Sequence, residues 1–184
     1  KIFNIFIHHG EHIDDFHPYE NYNTSYAARK ELGGGVILTQ IHEIDYLLYL
    51  FKNYKFKVIN SAPSKISKLN LNVEDNVVTN FELSKNKNDK AICTMHLNFY
   101  ERPKKRTILI IGENGKIECD LNKGIIELFK KGSIQKFNFK FDRNKIFLNQ
   151  IKYFLDNVKK DKKINKDYDL INGLKSLKLA LKIK

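Results

Sequence analysis

Short stretches rich in β-branched and aromatic residues, each bounded by Gly, Asn, Asp or Lys clusters, recur along most of the chain. That pattern marks β-strands. It predicts strands over residues 1–9, 56–68, 77–84, 91–100, 107–111, 116–120, 125–129 and 134–141. The links at 84–91, at 112–115 and around Gly132 are short and turn-like. Short links join antiparallel neighbours, whereas parallel neighbours need a long crossover. The middle of the chain is therefore expected to be a largely antiparallel sheet.

Four helices are predicted around that sheet. Residues 25–32 read as a short one, with Asn23 or Thr24 as its cap. Residues 35–51 follow three glycines and carry Ile37, Ile41, Ile44 and Leu48 on one side. In residues 145–159, Phe147, Ile151, Phe154, Leu155 and Val158 form one stripe, the spacing of a half-buried helix. Residues 169–183 place Leu170, Leu174, Leu177 and Leu181 at the same spacing, and packing onto the sheet is expected. Helices segregated from a long run of strands read as α+β: one domain over residues 1–184, an open sheet with helices on one face. Four helices are too few to cover both faces of about eight strands. Residues 1–9, 107–111 and 125–129 also carry apolar side chains on both parities. A second covering is implied, and another copy of the same sheet supplies it as a homodimer or tetramer.

Composition narrows the class. With 184 residues, 42% hydrophobic and 12% aromatic, the chain can bury a sizeable core and is not of the disordered kind. No apolar run approaches the roughly 20 residues that span a bilayer, and no secretory leader is visible; no membrane partner is expected. The net charge of +12 is carried by Lys, the only arginines being Arg29, Arg102, Arg106 and Arg143. Phosphate forks and base readers favour Arg. Lys abounds here beside Asn, Ile, Phe and Tyr, residues with A/T-rich codons, so no nucleic-acid partner is expected. The dense run at 159–163 ends a predicted helix and reads as a solvated turn. Cys93 and Cys119 have neither metal nor redox spacing; they read as small half-buried strand residues, no metal site is expected, and two lone thiols suit the cytoplasm. Because the first residue is Lys1 and opens directly into a strand, the sequence is read as part of a longer protein.

Chemistry concentrates at Gly33-Gly34-Gly35-Val36-Ile37-Leu38-Thr39-Gln40-Ile41-His42-Glu43-Ile44-Asp45-Tyr46. Three glycines allow close backbone approach. Thr39, His42, Asp45, Tyr46 and Tyr49 are three or four apart and share a side of the helix. A His one turn from an Asp can be kept basic by it, as proton transfer near neutral pH requires. The same spacing fits a histidine hydrogen-bonded to a neighbour for structural reasons. The glycines are not a dinucleotide fingerprint, since no G-x-G-x-x-G occurs and the βαβ context is lacking.

The string LGGGVILTQIHEIDYLLYLF resembles the signature of the Gfo/Idh/MocA oxidoreductases, the glucose–fructose oxidoreductase and inositol dehydrogenase family. DFHPYENYNTSYAARKE is similar to a loop that one branch of the family writes with Trp. Asn72-Val73-Glu74-Asp75 resembles the family's V-E-D strand opening, ERPKKRTILIIGENGKIECDL its strand–turn–strand segment, and residues 169–181 its final helix. The resemblance covers essentially the whole chain. It implies a two-domain enzyme in which an N-terminal Rossmann domain, missing from this chain, binds NAD or NADP and supplies a catalytic Lys. The C-terminal domain is then an open sheet like that of glyceraldehyde-3-phosphate dehydrogenase, which binds substrate and builds the oligomer.

By the same resemblance His42 is the catalytic histidine and this chain alone is inactive. His17, Tyr19, Tyr22, Asn23, Thr39 and Asp45 are the expected substrate-binding residues. The family's Asp just ahead of the His is not kept: Leu38 or Thr39 stands there. The implied function is a substrate-binding and dimerisation domain of an NAD(P)-dependent oxidoreductase acting on a hydroxyl of a sugar, sugar nucleotide or cyclitol. The alternatives are a non-catalytic sugar-binding or assembly domain, favoured by the absent Asp, and a basic nucleic-acid-binding domain, disfavoured by the scarcity of Arg.

Overall fold

A computed structural model describes residues 1–140, 142–160 and 169–184. The end of the expected strand at residue 141 and positions 161–163 of the lysine run lie outside the described residues. Eight strands form one sheet: β1 (Ile2–Gly10), β2 (Lys55–Ser64), β3 (Asn76–Asn86), β4 (Asp89–Asn98), β5 (Lys105–Gly112), β6 (Gly115–Asp120), β7 (Ile125–Lys130) and β8 (Ser133–Asn138). Their order is β2-β3-β4-β1-β5-β6-β7-β8. Every pairing is antiparallel except β1 with β4, which is parallel. The first strand thus lies inside the sheet, and the helical segment between β1 and β2 carries the chain to one edge.

One side of this sheet is the core. Ile5 and Ile7 of β1, Val77, Phe81 and Leu83 of β3, and Cys93, Met95 and Leu97 of β4 are all buried. The register sets Ile5 beside Cys93 and Ile7 beside Met95, and joins Ile7 to Ile108 of β5. Each such side chain contributes about 1.5–3 kcal/mol by leaving water. Both cysteines are free strand residues; Cys119 is half-buried as expected, whereas Cys93 is fully buried, and burial pushes its thiol up to about 12. Strand β2 ends at Ser64, short of the expected residue 68, because buried Asp75 takes the backbone N–H groups of Ile66 (2.8 Å) and Ser67 (3.0 Å). Those donors are then lost to any strand partner.

The helices depart from expectation in instructive ways. Residues 25–32 form no α-helix; three 3₁₀ turns, Tyr22–Thr24, Tyr26–Ala28 and Lys30–Leu32, replace it. The cap is Asn21, whose side chain accepts from the Asn23 N–H. The predicted helix 35–51 is two, α1 (Val36–Thr39) and α2 (His42–Leu50). Gln40, Glu43, Ile44, Leu47 and Phe51 face inward, a stripe rotated from the expected one because two polar residues lie on it. α3 (Arg143–Lys159) follows β8 at the edge of the sheet opposite β2. Its expected stripe of Phe147, Ile151, Phe154, Leu155 and Val158 is exposed. Periodicity reports an amphipathic helix without saying that this chain supplies its cover.

α4 (Leu170–Ile183) packs on α1, α2 and β2 as expected, but through the other face. Ser176, Ala180 and Ile183 are buried, while Leu170, Leu174, Leu177 and Leu181 are 40–88% exposed. Small residues let α4 approach closely. Ser61 Oγ on β2 then donates to the Ile183 carbonyl at 2.6 Å.

Candidate active site

The ends of β1 and β4 bring the chemistry-bearing segments to one place. The Asn98 carbonyl at the end of β4 accepts from the Glu11 N–H at 3.2 Å and from Gln40 Nε2 at 3.1 Å. One carbonyl therefore holds both the start of the loop after β1 and the junction between α1 and α2. The three glycines lead into α1 for steric reasons. A Cβ on Gly34 would press into the backbone carbonyls of Tyr26, Ala27 and Arg29. Gly35 sits at φ 110°, where side chains are strained, and Glu74 occupies the space a Cβ would take. The Val36 N–H donates to the Glu74 carbonyl, and Lys184 Nζ to the Gly34 carbonyl at 2.6 Å.

The expected site residues divide into three groups. Thr39 closes α1 and His42 opens α2; His42 is exposed and Thr39 half-buried, the Thr39 hydroxyl being buried with no hydrogen-bond partner. Asp45 is exposed but its Oδ1 accepts from Ser176 Oγ on α4 at 2.6 Å, and among the described residues no His42–Asp45 hydrogen bond forms. The predicted His–Asp pair is therefore replaced by a helix–helix tie. Tyr22 packs against the core, its hydroxyl accepting from the Asn70 N–H at 3.3 Å, and Asn23 Oδ1 is buried with no partner. His17 and Tyr19 stand out in solvent at the tip of the loop, Tyr19 being 99% exposed. That loop is fastened by a two-pronged Arg102–Asp15 pair (3.0 and 2.9 Å) and by Phe16 set edge-on against Phe99.

Directly behind His42 lies a group the sequence reading missed. Glu43 is fully buried. Its Oε1 receives Arg106 Nη2 at 2.7 Å and His9 Nδ1 at 3.0 Å. His9 Nε2 faces Glu11 at 3.5 Å, and Lys104 Nζ reaches Glu11 at 3.4 Å. Charges thus alternate from the core to the rim. Burial opposes ionisation of both His9 and Glu43, yet their partners outweigh it: Glu11 and Glu43 raise His9, and His9 and Arg106 lower Glu43, from their ordinary values. Tyr46 beside them is driven well above the usual phenol range, by burial first and the Glu43 charge next, so it stays a neutral phenol. The signal was present in the sequence. A glutamate at the helical spacing of Gln40, Ile44 and Leu47 demands a partner, although the sequence does not say which strand supplies it.

The open side of the sheet carries a second polar group. His8 Nε2 meets Glu101 at 2.7 Å, the His8 and His96 rings lie edge to face at 5.0 Å, and Asn76 Oδ1 joins His96 Nε2 (2.9 Å) to the Tyr100 hydroxyl (3.0 Å). Among the described residues no three His, Cys, Asp or Glu groups are arranged to hold a metal ion, and no helix is long and apolar enough to cross a membrane.

Comparison with known proteins bears on the family and the fold. The family model described as the GFO/IDH/MocA C-terminal domain matches residues 4–118. No curated protein matches the chain in sequence. Among solved structures, UDP-N-acetylglucosamine 3-dehydrogenase GnnA from Acidithiobacillus ferrooxidans is similar over 98% of this chain and 51% of its own, at TM-score 0.72 and 12% identity. An inositol dehydrogenase homolog from Azotobacter vinelandii, complexed with NAD+, is similar over 78% of this chain and 38% of its own, at TM-score 0.62 and 14% identity. An oxidoreductase from Pseudomonas syringae follows at TM-score 0.55 and 12% identity, over 75% and 34%. The chain spans about half the length of the first of these and less of the others. At such identities the likeness is one of fold.

Proposed function

The chain belongs to the GFO/IDH/MocA family, whose C-terminal domain it carries, and from that premise we propose that it is the substrate-binding and dimerisation part of a cytoplasmic NAD(P)-dependent oxidoreductase. The substrate class is a sugar, sugar nucleotide or cyclitol bearing a secondary hydroxyl. The observation that carries this reading is the exposed His42 at the start of α2, just after the α1–α2 junction that shares the Asn98 carbonyl with the start of the loop after β1. The names of the similar structures, one a sugar-nucleotide dehydrogenase and one an inositol dehydrogenase homolog with NAD+, support the class.

The described residues do not fit a dinucleotide. No glycine turn leads from a strand into a helix of a βαβ unit; the three glycines pass from a 3₁₀ turn into the four-residue α1. NAD or NADP, the hydride acceptor, is therefore assigned to an N-terminal Rossmann domain outside this sequence. What this chain contributes is the proton acceptor and the grip. His42 accepts the hydroxyl proton as the alcohol is oxidised, the general-base task for which imidazole is suited. His17, Tyr19, Tyr22 and Asn23 supply aromatic faces and polar groups for a polyhydroxylated ring. Thr39 Oγ1 and Asn23 Oδ1 hold unspent hydrogen-bonding capacity, which such a ligand would use once side chains shift to admit it. Asp45 stays in the set as an exposed carboxylate one turn from His42.

The open sheet face is assigned to a second copy. Phe6, Val78 and Ile92 are exposed there, with Leu109 next to Phe6 in the register.

A second reading, a non-catalytic sugar-binding or assembly domain, draws support from two observations: among the described residues His42 has no carboxylate partner, and Leu38 or Thr39 stands where the family writes Asp. Calorimetry separates the two-domain account from its failure. Residues 1–184 alone should bind neither NAD nor NADP, while the protein with both halves binds one of them. Micromolar cofactor binding by residues 1–184 would overturn the assignment. Sugar binding by the complete protein without any nicotinamide turnover would favour the second reading.

A further inference from the structure

α1 and α2 are not one helix. The break at Gln40–Ile41 leaves the first turn of α2 with Ile41 as its cap residue and no side-chain cap hydrogen bond. The orientation of that turn is then fixed by what its side chains reach. His42 points outward and Glu43 inward, the first exposed and the second fully buried, because successive residues on a helix are turned by about 100°. Inward, Glu43 is fully buried and bonded through one oxygen to two different strands, to His9 at the end of β1 and to Arg106 at the start of β5. The pair continues through Glu11 to Lys104 at the rim. A buried carboxylate held from two directions has a single low-energy placement, because any rotation of the turn leaves a charge without its partner in a poorly solvated interior.

We infer that Glu43 and His9 are positioning residues for His42, a charge-paired anchor that sets the direction in which the His42 imidazole is presented to the substrate. Arg106 completes the anchor, and Glu11 with Lys104 balances His9 on its outer side. None of the five is required to touch substrate. The inference rests on His42 being the proton-transferring group, and it adds a reason why a helix of nine residues with no cap presents that group in a fixed direction. Misplacing a reacting group by about 1 Å can cost about 10²-fold in rate, so an anchor directly beneath it acts on the chemical step more than on substrate affinity.

The test uses the complete protein with isotope-labelled histidine. Glu43→Gln, Glu43→Asp and His9→Asn are compared with the unsubstituted protein by NMR of the His42 ring through a pH titration, and by kcat and KM across the same pH range. Circular dichroism checks folding. Expected are displaced His42 ring resonances and a moved pH–rate profile in Glu43→Gln. Its kcat should fall about 10–100-fold with KM within about twofold, and Glu43→Asp should recover part of the loss. His9→Asn keeps the Arg106–Glu43 pair, so it folds and decides the matter if Glu43→Gln does not. Folded variants with unmoved His42 resonances and an unchanged pH profile would overturn the inference. If instead His42→Ala leaves turnover intact, the assigned chemistry fails, and the resonances still report whether Glu43 positions the ring.

Discussion

Ser176 Oγ on α4 donates to Asp45 Oδ1 on α2 at 2.6 Å, joining residues 131 positions apart. Ser176 is buried beside Ala180, so the two helices meet through small side chains and the hydroxyl has no alternative partner of equal strength. Hydrogen bonds to charged groups contribute about 1.5–3 kcal/mol, reduced here because Asp45 is exposed and water can replace the donor. Ser176→Ala should therefore lower stability by about 1 kcal/mol in urea unfolding. It should leave turnover by the complete protein unchanged if Asp45 acts through this tie alone. A loss of activity without a loss of stability would mean that Asp45 reaches the substrate.

Two histidines on neighbouring strands, His9 on β1 and His96 on β4, predict opposite pH dependence. His9 is raised above its ordinary value of 6.5: burial lowers it, and the bonds to Glu11 and Glu43 more than compensate. The charged form is favoured in the folded state, so its contribution is full below pH 6.5 and is lost as pH rises through the folded value. His96 is lowered from 6.5, by burial first and then by the neighbouring His8, with Glu101 acting the other way. Its contribution is full above pH 6.5 and is lost as pH falls through the folded value. Unfolding free energies of His9→Asn and His96→Asn, measured against the unsubstituted protein across this range, should differ from it with slopes of opposite sign. Parallel slopes would contradict the two environments.

The open sheet face predicts self-association. Phe6 is 42% exposed in the middle of the sheet, and Val78 and Ile92 are 38% exposed on neighbouring strands. Light scattering on residues 1–184 should give twice the 21.6 kDa of one chain or a higher multiple, and Phe6→Glu should return it towards the monomer. A monomer at micromolar concentration in the unsubstituted chain would mean that another element covers this face.

The eight strands and their largely antiparallel pairing were legible because β-branched runs and short turns are local signals. The alternation of Ile5 and Ile7, or of Cys93, Met95 and Leu97, needs only the strand period. Helix faces were less legible. The α4 stripe was assigned to Leu170, Leu174, Leu177 and Leu181, the larger apolar residues, whereas close packing against α2 selects Ser176 and Ala180. At the break between α1 and α2 the Gln40 side chain bonds the Asn98 carbonyl, a partner 58 residues away that helical spacing does not encode. His42 and the loop after β1 were singled out by resemblance to family motifs, since spacing alone fitted a structural histidine equally well. Glu43 was passed over because its partners His9 and Arg106 come from other strands, and no periodicity in residues 35–51 encodes them.

His42 carries the central claim. Its side chain is exposed and makes no hydrogen bond among the described residues, so its removal should not disturb the fold. In the complete protein His42→Ala should lower kcat about 10²–10⁴-fold, the range for a general acid or base, with an unchanged melting temperature. Full activity in a folded His42→Ala protein would contradict the account.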